Sequence, residues 1–129
     1  IFGLGIVDEK TVDRLNILVA TRLAMEQAIA ELIGKLSSPT EGRIHILIDG
    51  NVKLDLKYPF TNIIKGDSRS KSIACASILA KVARDRMMSV YHKAYPEYGF
   101  LKHKGYGTSL HLRAISEFGP SVIHRATLL

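Results

Sequence analysis

The most apolar stretch of the chain, residues 44–48, ends on a carboxylate. It reads Ile-His-Ile-Leu-Ile, follows a predicted loop at 37–42, and is followed by Asp49, Gly50 and Asn51. A short β-branched run bounded by turn residues is typical of a buried strand. An ionised carboxylate is costly to bury unless it is solvated, paired or bound to a metal. The segment therefore predicts a core strand that delivers Asp49 to one edge of a sheet.

Two earlier segments predict a strand–helix–strand unit. Residues 2–7 form a short apolar run of strand type, and residues 12–36 carry apolar side chains at the 3.6-residue spacing of an amphipathic helix. Asp8 or Thr11 is expected to cap that helix. Because parallel strands are joined by a crossover connection such as a helix, the strands at 2–7 and 44–48 are predicted to be parallel neighbours.

The second half of the chain is predicted to add a strand and two helices. A short strand is expected at 62–65 and a turn at 66–68. Residues 70–92 are apolar around most of the helix circumference, which favours a mostly buried helix. Thr108 is a suitable N-cap for a last helix over 109–118. The alternation of strands and helices makes the predicted fold class α/β, with no repeat and no domain linker.

Composition excludes several classes of protein. The chain is 47% hydrophobic and 23% charged, which is not the composition of a disordered protein. The single cysteine, Cys75, excludes a disulfide framework and is expected to be a small core residue of the helix at 70–92. No apolar run reaches the roughly 18 residues of a membrane span, and no signal peptide is recognisable. A cytoplasmic protein is the expectation.

Charge is distributed unevenly along the chain. Residues 1–64 carry 7 basic and 8 acidic side chains, whereas residues 65–129 carry 11 basic and 4 acidic ones. A bias of that size favours a polyanionic partner, and a merely basic surface is the alternative. The chain also opens on an apolar run without an initiator Met, which suggests the C-terminal part of a longer protein, or else a processed terminus.

Asp49 and Asp67 are candidate ligands for a divalent cation. Each follows a predicted strand, and the carboxyl ends of strands are where functional groups gather in α/β sheets. Two carboxylates at neighbouring strand ends can hold a hard cation. The alternative is structural, since Asp-Gly-Asn is a good turn sequence and Asp67 could cap the next helix.

Residues 98–108 interleave aromatic, basic and glycine residues, a composition suited to nucleic acid. Lysines neutralise phosphates, and a tyrosine can stack on a sugar or base. The candidate phosphate contacts are Lys102, His103 and Lys104, and the candidate stacking residue is Tyr106. A glycine-rich surface loop with Tyr106 packed inward is the alternative.

Several motifs in one order resemble bacterial type 2 ribonuclease H, the ribonuclease HII family, over essentially the whole chain. They are Ile48-Asp49-Gly50-Asn51, Lys65-Gly66-Asp67-Ser68, the helix sequence from Ser72 to Asp85, Tyr95-Pro96-Glu97-Tyr98-Gly99-Phe100, His103-Lys104-Gly105-Tyr106-Gly107-Thr108, and Gly119-Pro120-Ser121 with Ile123-His124-Arg125. The resemblance implies a ribonuclease H-like fold with a central mixed sheet and flanking helices, here truncated at the N-terminus. Residues 1–129 would be the C-terminal part of one catalytic domain.

The resemblance also implies an activity. Members of the family hydrolyse the RNA strand of RNA–DNA hybrids and nick DNA on the 5′ side of embedded ribonucleotides, a step of ribonucleotide excision repair. They use two-metal-ion hydrolysis with Mg²⁺ or Mn²⁺ and leave 3′-hydroxyl and 5′-phosphate ends. Asp49 and Asp67 match two of four metal-binding catalytic carboxylates, and Tyr106 matches the tyrosine that packs on the ribose. A monomer is expected.

The sequence departs from the family at one motif. The other two carboxylates belong to an Asp-Glu-x-Gly-Arg-Gly motif, and residues 1–129 contain no such sequence. A non-catalytic nucleic-acid-binding fragment is therefore the second hypothesis for these residues in isolation, with the segment that carries the motif as a partner. A metabolic α/β enzyme for a phosphorylated small molecule is the third hypothesis, but it leaves the aromatic and basic loop unexplained.

Overall fold

The computed structural model describes residues 1–37 and 43–128, so most of the loop predicted at 37–42 lies outside the described residues. The chain divides into two compact units, residues 1–76 with 125–128 and residues 77–124. The helices are α1 (Glu9–Leu15), α2 (Ile17–Gly34), α3 (Lys71–Ala94), α4 (Phe100–His103) and α5 (Ser109–Phe118), and the strands are β1 (Ile46–Asp49) and β2 (Phe60–Ile63). The predicted α/β class is confirmed, whereas the expectation of a single domain stays a prediction.

The helix predicted over 12–36 is two helices. Asp8 caps α1 by accepting a hydrogen bond from the Thr11 N–H at 2.8 Å, as expected. Asn16 then adopts a φ of 71°, which ends α1, and its side-chain oxygen accepts hydrogen bonds from Leu18 N–H and Val19 N–H. With its ψ of 165°, this is a backbone conformation that residues other than glycine rarely adopt. The apolar spacing continues through Asn16, and for that reason it does not reveal the break.

The strand predicted at 2–7 is wrong, because this segment packs against α2 instead of pairing with a strand. A Cβ on Gly5 would lie 1.6 Å from the Ala24 carbonyl oxygen, and a Cβ on Gly3 would lie 2.2 Å from that of Ala28. The Leu4 N–H donates to a carboxylate oxygen of Glu31 at 2.6 Å. The two glycines therefore allow the chain to lie directly on the helix backbone.

The two strands form a parallel pair that differs from the predicted one. β1 pairs with β2, and Ile48 lies opposite Asn62 and Asp49 opposite Ile63. The proposed pairing of residues 2–7 with 44–48 is therefore wrong. The prediction takes residues 2–7, the helix and residues 44–48 as a strand–helix–strand unit, whereas the strand that pairs with β1 follows it along the chain. β2 also begins two residues before the predicted strand at 62–65.

Helix α3 has the predicted length but not the predicted burial. Ile73 is its one buried residue among those described, while Ile78 is 63% and Val82 42% exposed. Cys75 is exposed as well, so its expected place in the core is wrong. Hydrophobicity around a helix indicates that burial is favourable, but it does not show which positions of the helix the rest of the chain covers. Among the described residues, no helix is both long and apolar enough to cross a bilayer.

The core of the second unit consists of aromatic residues at the start of the glycine-rich segment. Tyr98 and Phe100 are buried, with their rings stacked at a centroid distance of 5.5 Å. The Tyr98 hydroxyl donates to the Gly119 carbonyl oxygen at 2.7 Å, at the end of α5. Thr108 caps α5 as predicted, accepting the His111 N–H. These contacts join residues 98–100, which precede Tyr106, to helix α5, which follows it.

Candidate metal and nucleic-acid site residues

Asp49 is the last residue of β1, and its carboxylate is oriented by a backbone donor. Its Oδ1 accepts a hydrogen bond from the Gly66 N–H at 2.8 Å. The turn that follows β1 is held by Asn62, whose Nδ2 donates to the carbonyl oxygens of Gly50 and Val52 at 3.2 and 2.9 Å. Asp49 is exposed, so its carboxylate is accessible from solvent.

Asp67 lies in the 3-10 turn Gly66–Ser68 and is exposed. Since Gly66 is its neighbour, the hydrogen bond to Asp49 brings the two acidic residues together. Adding the N–Cα and Cα–Cα lengths to the 2.8 Å hydrogen bond places Asp49 Oδ1 within about 8 Å of the Asp67 Cα. Asp49 is the last residue of β1, whereas Asp67 follows the end of the adjacent strand β2 by four residues, so only Asp49 lies at a strand end as predicted.

The donor set at this site suits a hard cation but is small. The ion pairs seen between described residues, such as Arg22 with Glu26 and Lys35 with Glu31, do not involve Asp49 or Asp67. Carboxylate oxygens are the ligands that Mg²⁺ and Mn²⁺ prefer. No group of three or more potential ligands occurs among the described residues. Asp49 and Asp67 can therefore supply part of a coordination shell.

Gly66 is a site residue that the sequence pattern did not single out. It is buried, and a Cβ at this position would lie 2.5 Å from Ile73 Cδ1 and 3.3 Å from Asp49 Oδ1. A side chain would therefore interfere with the contact between its own N–H and Asp49. The Lys-Gly-Asp-Ser motif includes Gly66. Its hydrogen bond joins residues 17 positions apart, and the spacing of motifs alone does not reveal that contact.

Tyr106 in the second unit presents its side chain to solvent. It is 66% exposed, so the alternative in which it packs inward is wrong. The Arg84 guanidinium carbon lies 5.9 Å from the centre of the Tyr106 ring, and Arg84 also donates to the Lys104 carbonyl oxygen at 3.1 Å. Arg84 is thus a cation–π partner of Tyr106. Sequence reasoning missed it because the two residues are 22 positions apart and lie in different elements.

The three candidate phosphate contacts differ in exposure and in hydrogen bonding. Lys102 is exposed and Lys104 half-buried. His103 is only 6% exposed, its Nε2 donates to the Tyr98 carbonyl oxygen at 2.6 Å, and its Nδ1 accepts from the Gly105 N–H at 3.1 Å. Both ring nitrogens are therefore occupied by backbone partners, a geometry that argues against His103 as a phosphate contact. A histidine that is buried by neighbours distant in sequence cannot be distinguished from an exposed one by composition.

Comparison with known proteins gives one consistent family. Residues 3–127 match the family model described as Ribonuclease HII. The chain is 51% identical over 125 residues to a Geobacter metallireducens protein named Ribonuclease HII, an alignment that covers 97% of this chain and 55% of that protein. It is 48% identical over 126 residues to the Caldanaerobacter subterraneus subsp. tengcongensis protein of the same name, covering 98% and 49%. Against the protein of that name from Chlamydia trachomatis serovar A, identity is 53% over 123 residues, covering 95% and 53%. The chain spans about half the length of these relatives.

Proposed function

The chain belongs to the ribonuclease HII family, which implies a ribonuclease H-like fold, and from that premise we propose the activity of the whole protein. It is an endonuclease that hydrolyses the RNA strand of RNA–DNA hybrids and nicks DNA on the 5′ side of embedded ribonucleotides. Residues 1–129 form the C-terminal part of its single catalytic domain. The observation that carries the proposal is the hydrogen bond from the Gly66 N–H to Asp49 Oδ1, because it orients one carboxylate beside Asp67.

Asp49 and Asp67 are the proposed ligands of the divalent cation, Mg²⁺ or Mn²⁺. Their exposure and the orientation of the Asp49 carboxylate by the Gly66 N–H support this role. When bound, the ion stabilises negative charge on the phosphoryl oxygens and provides an activated water near neutral pH. Two carboxylates are fewer ligands than a two-metal site uses. The remaining ligands are proposed to come from a segment outside these 129 residues.

The residues of this chain orient the substrate and hold its charge. The Gly66 N–H fixes the direction of the Asp49 carboxylate. The exposed ring of Tyr106, supported by Arg84, is the proposed surface for the ribose at an RNA–DNA junction. Lys102 and Lys104 are the proposed phosphate contacts, whereas both ring nitrogens of His103 are bonded to the backbone. Since phosphate neutralisation releases counterions, affinity for the duplex is expected to fall steeply as salt rises.

A nicking assay tests the proposal directly. The purified full-length protein is incubated with a DNA duplex that carries one ribonucleotide, with Mg²⁺ or Mn²⁺. Asp49→Asn and Asp67→Asn are each expected to lower the nicking rate by more than the roughly 10–100-fold that loss of a hydrogen-bond partner of a metal ligand costs, while duplex binding is retained. Asp55→Asn is the matched control, because Asp55 is another exposed carboxylate that follows β1. Nicking by Asp49→Asn at the wild-type rate would refute the proposed ligand role.

A second function is favoured for residues 1–129 by themselves. No described group of three potential metal ligands exists in the chain, which favours nucleic-acid binding without cleavage. In the same assay, the 129-residue chain is then expected to bind the duplex and leave it intact. Family membership argues against the third hypothesis, a metabolic enzyme for a phosphorylated small molecule. The monomeric state and the cytoplasmic location stay predictions.

A further inference from the structure

The peptide unit between Lys65 and Gly66 connects the candidate cation site to a turn that the proposed function does not use. Its N–H belongs to Gly66 and donates to Asp49 Oδ1 at 2.8 Å. Its carbonyl group belongs to Lys65. A peptide unit is planar and trans, so its N–H and C=O point in opposite directions and rotate together. A contact that fixes the Lys65 carbonyl oxygen therefore also fixes the N–H that orients Asp49.

Two donors of Ser68 hold the Lys65 carbonyl oxygen. The Ser68 hydroxyl donates to it at 2.8 Å, and the Ser68 N–H donates to it at 3.2 Å. The backbone contact is the longer one and closes the 3-10 turn Gly66–Ser68, whereas the shorter contact comes from the side chain. Since Ser68 directly follows Asp67, one closed turn carries both the donor to Asp49 and the second candidate ligand.

The peptide unit on the other side of Gly66 is held from the residues that precede helix α3. The Gly66 carbonyl oxygen accepts the Arg69 N–H at 3.0 Å and the Ser70 N–H at 2.8 Å. Gly66 is therefore anchored on its C-terminal side. On its N-terminal side, the backbone conformation of Lys65 decides how the peptide unit that faces Asp49 is turned.

Lys65 has a backbone conformation that lysine rarely adopts. Its φ is 53° and its ψ is 47°, which is the left-handed region. Glycine enters this region freely and asparagine tolerates it, whereas a β-branched residue there is an outlier. Lys65 is exposed, so burial of its side chain does not impose this conformation. Residues in such regions persist only when their surroundings hold them, and they cluster at functional sites.

We infer that Lys65 and Ser68 are positioning residues for Asp49. The left-handed backbone of Lys65 directs the Gly66 N–H at the carboxylate, and the Ser68 hydroxyl holds the peptide unit in that direction. This inference rests on the proposed role of Asp49 as a ligand and names the residues that keep its carboxylate oriented before a cation binds. A carboxylate that is already oriented loses less conformational freedom on binding, so the affinity for the cation is higher.

The first test compares two substitutions of Lys65 that both remove its charge. Valine is β-branched and disfavours the left-handed region, whereas asparagine tolerates it. The affinity of the full-length protein for Mn²⁺ is measured from the EPR signal of the free ion. We expect Lys65→Val to bind Mn²⁺ at least about fivefold more weakly than Lys65→Asn, which corresponds to the lower end of the cost of a left-handed backbone. Because both variants lack the ammonium group, this difference reports the backbone and not the charge.

The second test removes the side-chain donor. Ser68→Ala keeps the backbone N–H and loses the hydroxyl, so we expect the affinity for Mn²⁺ to fall about threefold, the effect of one weak neutral hydrogen bond. Ser68→Thr keeps a hydroxyl and is expected to bind Mn²⁺ like the wild type. Ser89→Ala is the matched control, because the Ser89 hydroxyl also donates to a backbone carbonyl oxygen, that of Asp85, but lies in the second unit. This control should leave the affinity unchanged.

The outcomes separate the two levels of the proposal. If Asp49→Asn binds Mn²⁺ as tightly as the wild type, the proposed ligand role fails. If Asp49→Asn loses the ion while Lys65→Val and Lys65→Asn bind it equally, the positioning role of Lys65 fails, even where urea denaturation shows that Lys65→Val is less stable. An unchanged affinity in Ser68→Ala refutes the role of Ser68. For a variant that does not fold, NMR of the wild type without metal decides. A positive φ at Lys65 with a Gly66 amide protected from exchange supports the inference, and a negative φ or an unprotected amide overturns it.

Discussion

Replacing Gly66 by alanine tests how closely the turn beneath the candidate metal ligands is packed. Carbon atoms in contact are ordinarily about 3.5–4.0 Å apart. The new Cβ would lie 2.5 Å from Ile73 Cδ1, an overlap of about 1 Å or more. Overpacking of this kind costs about 1–3 kcal/mol. Because the opposing atom is the end of a side chain, we expect the lower half of that range.

One smaller term adjusts this value. Alanine restricts the unfolded chain more than glycine does, which returns about 0.4–1 kcal/mol. The net loss in the free energy of unfolding is therefore about 1 kcal/mol. The same Cβ lies 3.3 Å from Asp49 Oδ1, so the carboxylate must shift and its 2.8 Å hydrogen bond to the Gly66 N–H must lengthen. Affinity for Mn²⁺ is expected to fall together with stability.

Urea denaturation of the purified protein measures the loss in the free energy of unfolding of Gly66→Ala, provided that the slope m is unchanged. Gly34→Ala is the matched control, because Gly34 is helical and a Cβ there meets no atom within 4 Å. This control is expected to gain about 0.5–1 kcal/mol, since alanine favours a helix over glycine. If Gly66→Ala were as stable as Gly34→Ala, the described packing of the turn would be wrong.

Three further substitutions test other parts of the structure. Tyr98→Phe leaves the Gly119 carbonyl oxygen without its buried donor and is expected to cost about 1–2 kcal/mol in urea denaturation; an unchanged midpoint would contradict the contact. Gly5→Ala places a Cβ 1.6 Å from a backbone carbonyl oxygen, so the Leu4 amide is expected to exchange with solvent faster, and unchanged protection would contradict that packing. Asp13→Asn is expected to speed amide exchange at Ala126 and Thr127, which donate to the Asp13 carboxylate. The hydrogen bond from the Thr127 hydroxyl lowers the pKa of Asp13 below its ordinary value of 3.8. In the wild type the ionised carboxylate therefore holds the Ala126 and Thr127 amides above pH 3.8, and this protection is lost as the pH falls further and the carboxylate is protonated. Amide exchange that is the same in Asp13→Asn and the wild type would refute the contact.

Local signals predicted the elements whose ends are fixed by nearby residues. Helix α5 begins and ends where the sequence indicated, because Thr108 and Gly119 act on the backbone within a few residues. Asp8 is a cap of the same kind. Asn16 shows the limit of this reasoning, because its positive φ divides a continuous apolar stripe into two helices.

Contacts between distant residues could not be predicted from the pattern. A short apolar run identifies a strand but not its partner. For that reason the pairing of β1 with β2, instead of with residues 2–7, could not be predicted. At the candidate site, the sequence supplied Asp49 and Asp67 through the family motifs. The donor that orients Asp49 comes from Gly66, and the burial of His103 comes from residues folded around it, so both became visible only in three dimensions.

The most direct test of the central claim is a titration of the full-length protein with Mn²⁺, followed by paramagnetic broadening of its amide NMR signals. We expect the signals of Gly66 and Ser68 to broaden first, and Asp49→Asn and Asp67→Asn each to abolish this effect at the same Mn²⁺ concentration. Asp55→Asn should broaden like the wild type. If the Gly66 signal broadened in Asp49→Asn and Asp67→Asn as much as in the wild type, these carboxylates would not bind the ion together.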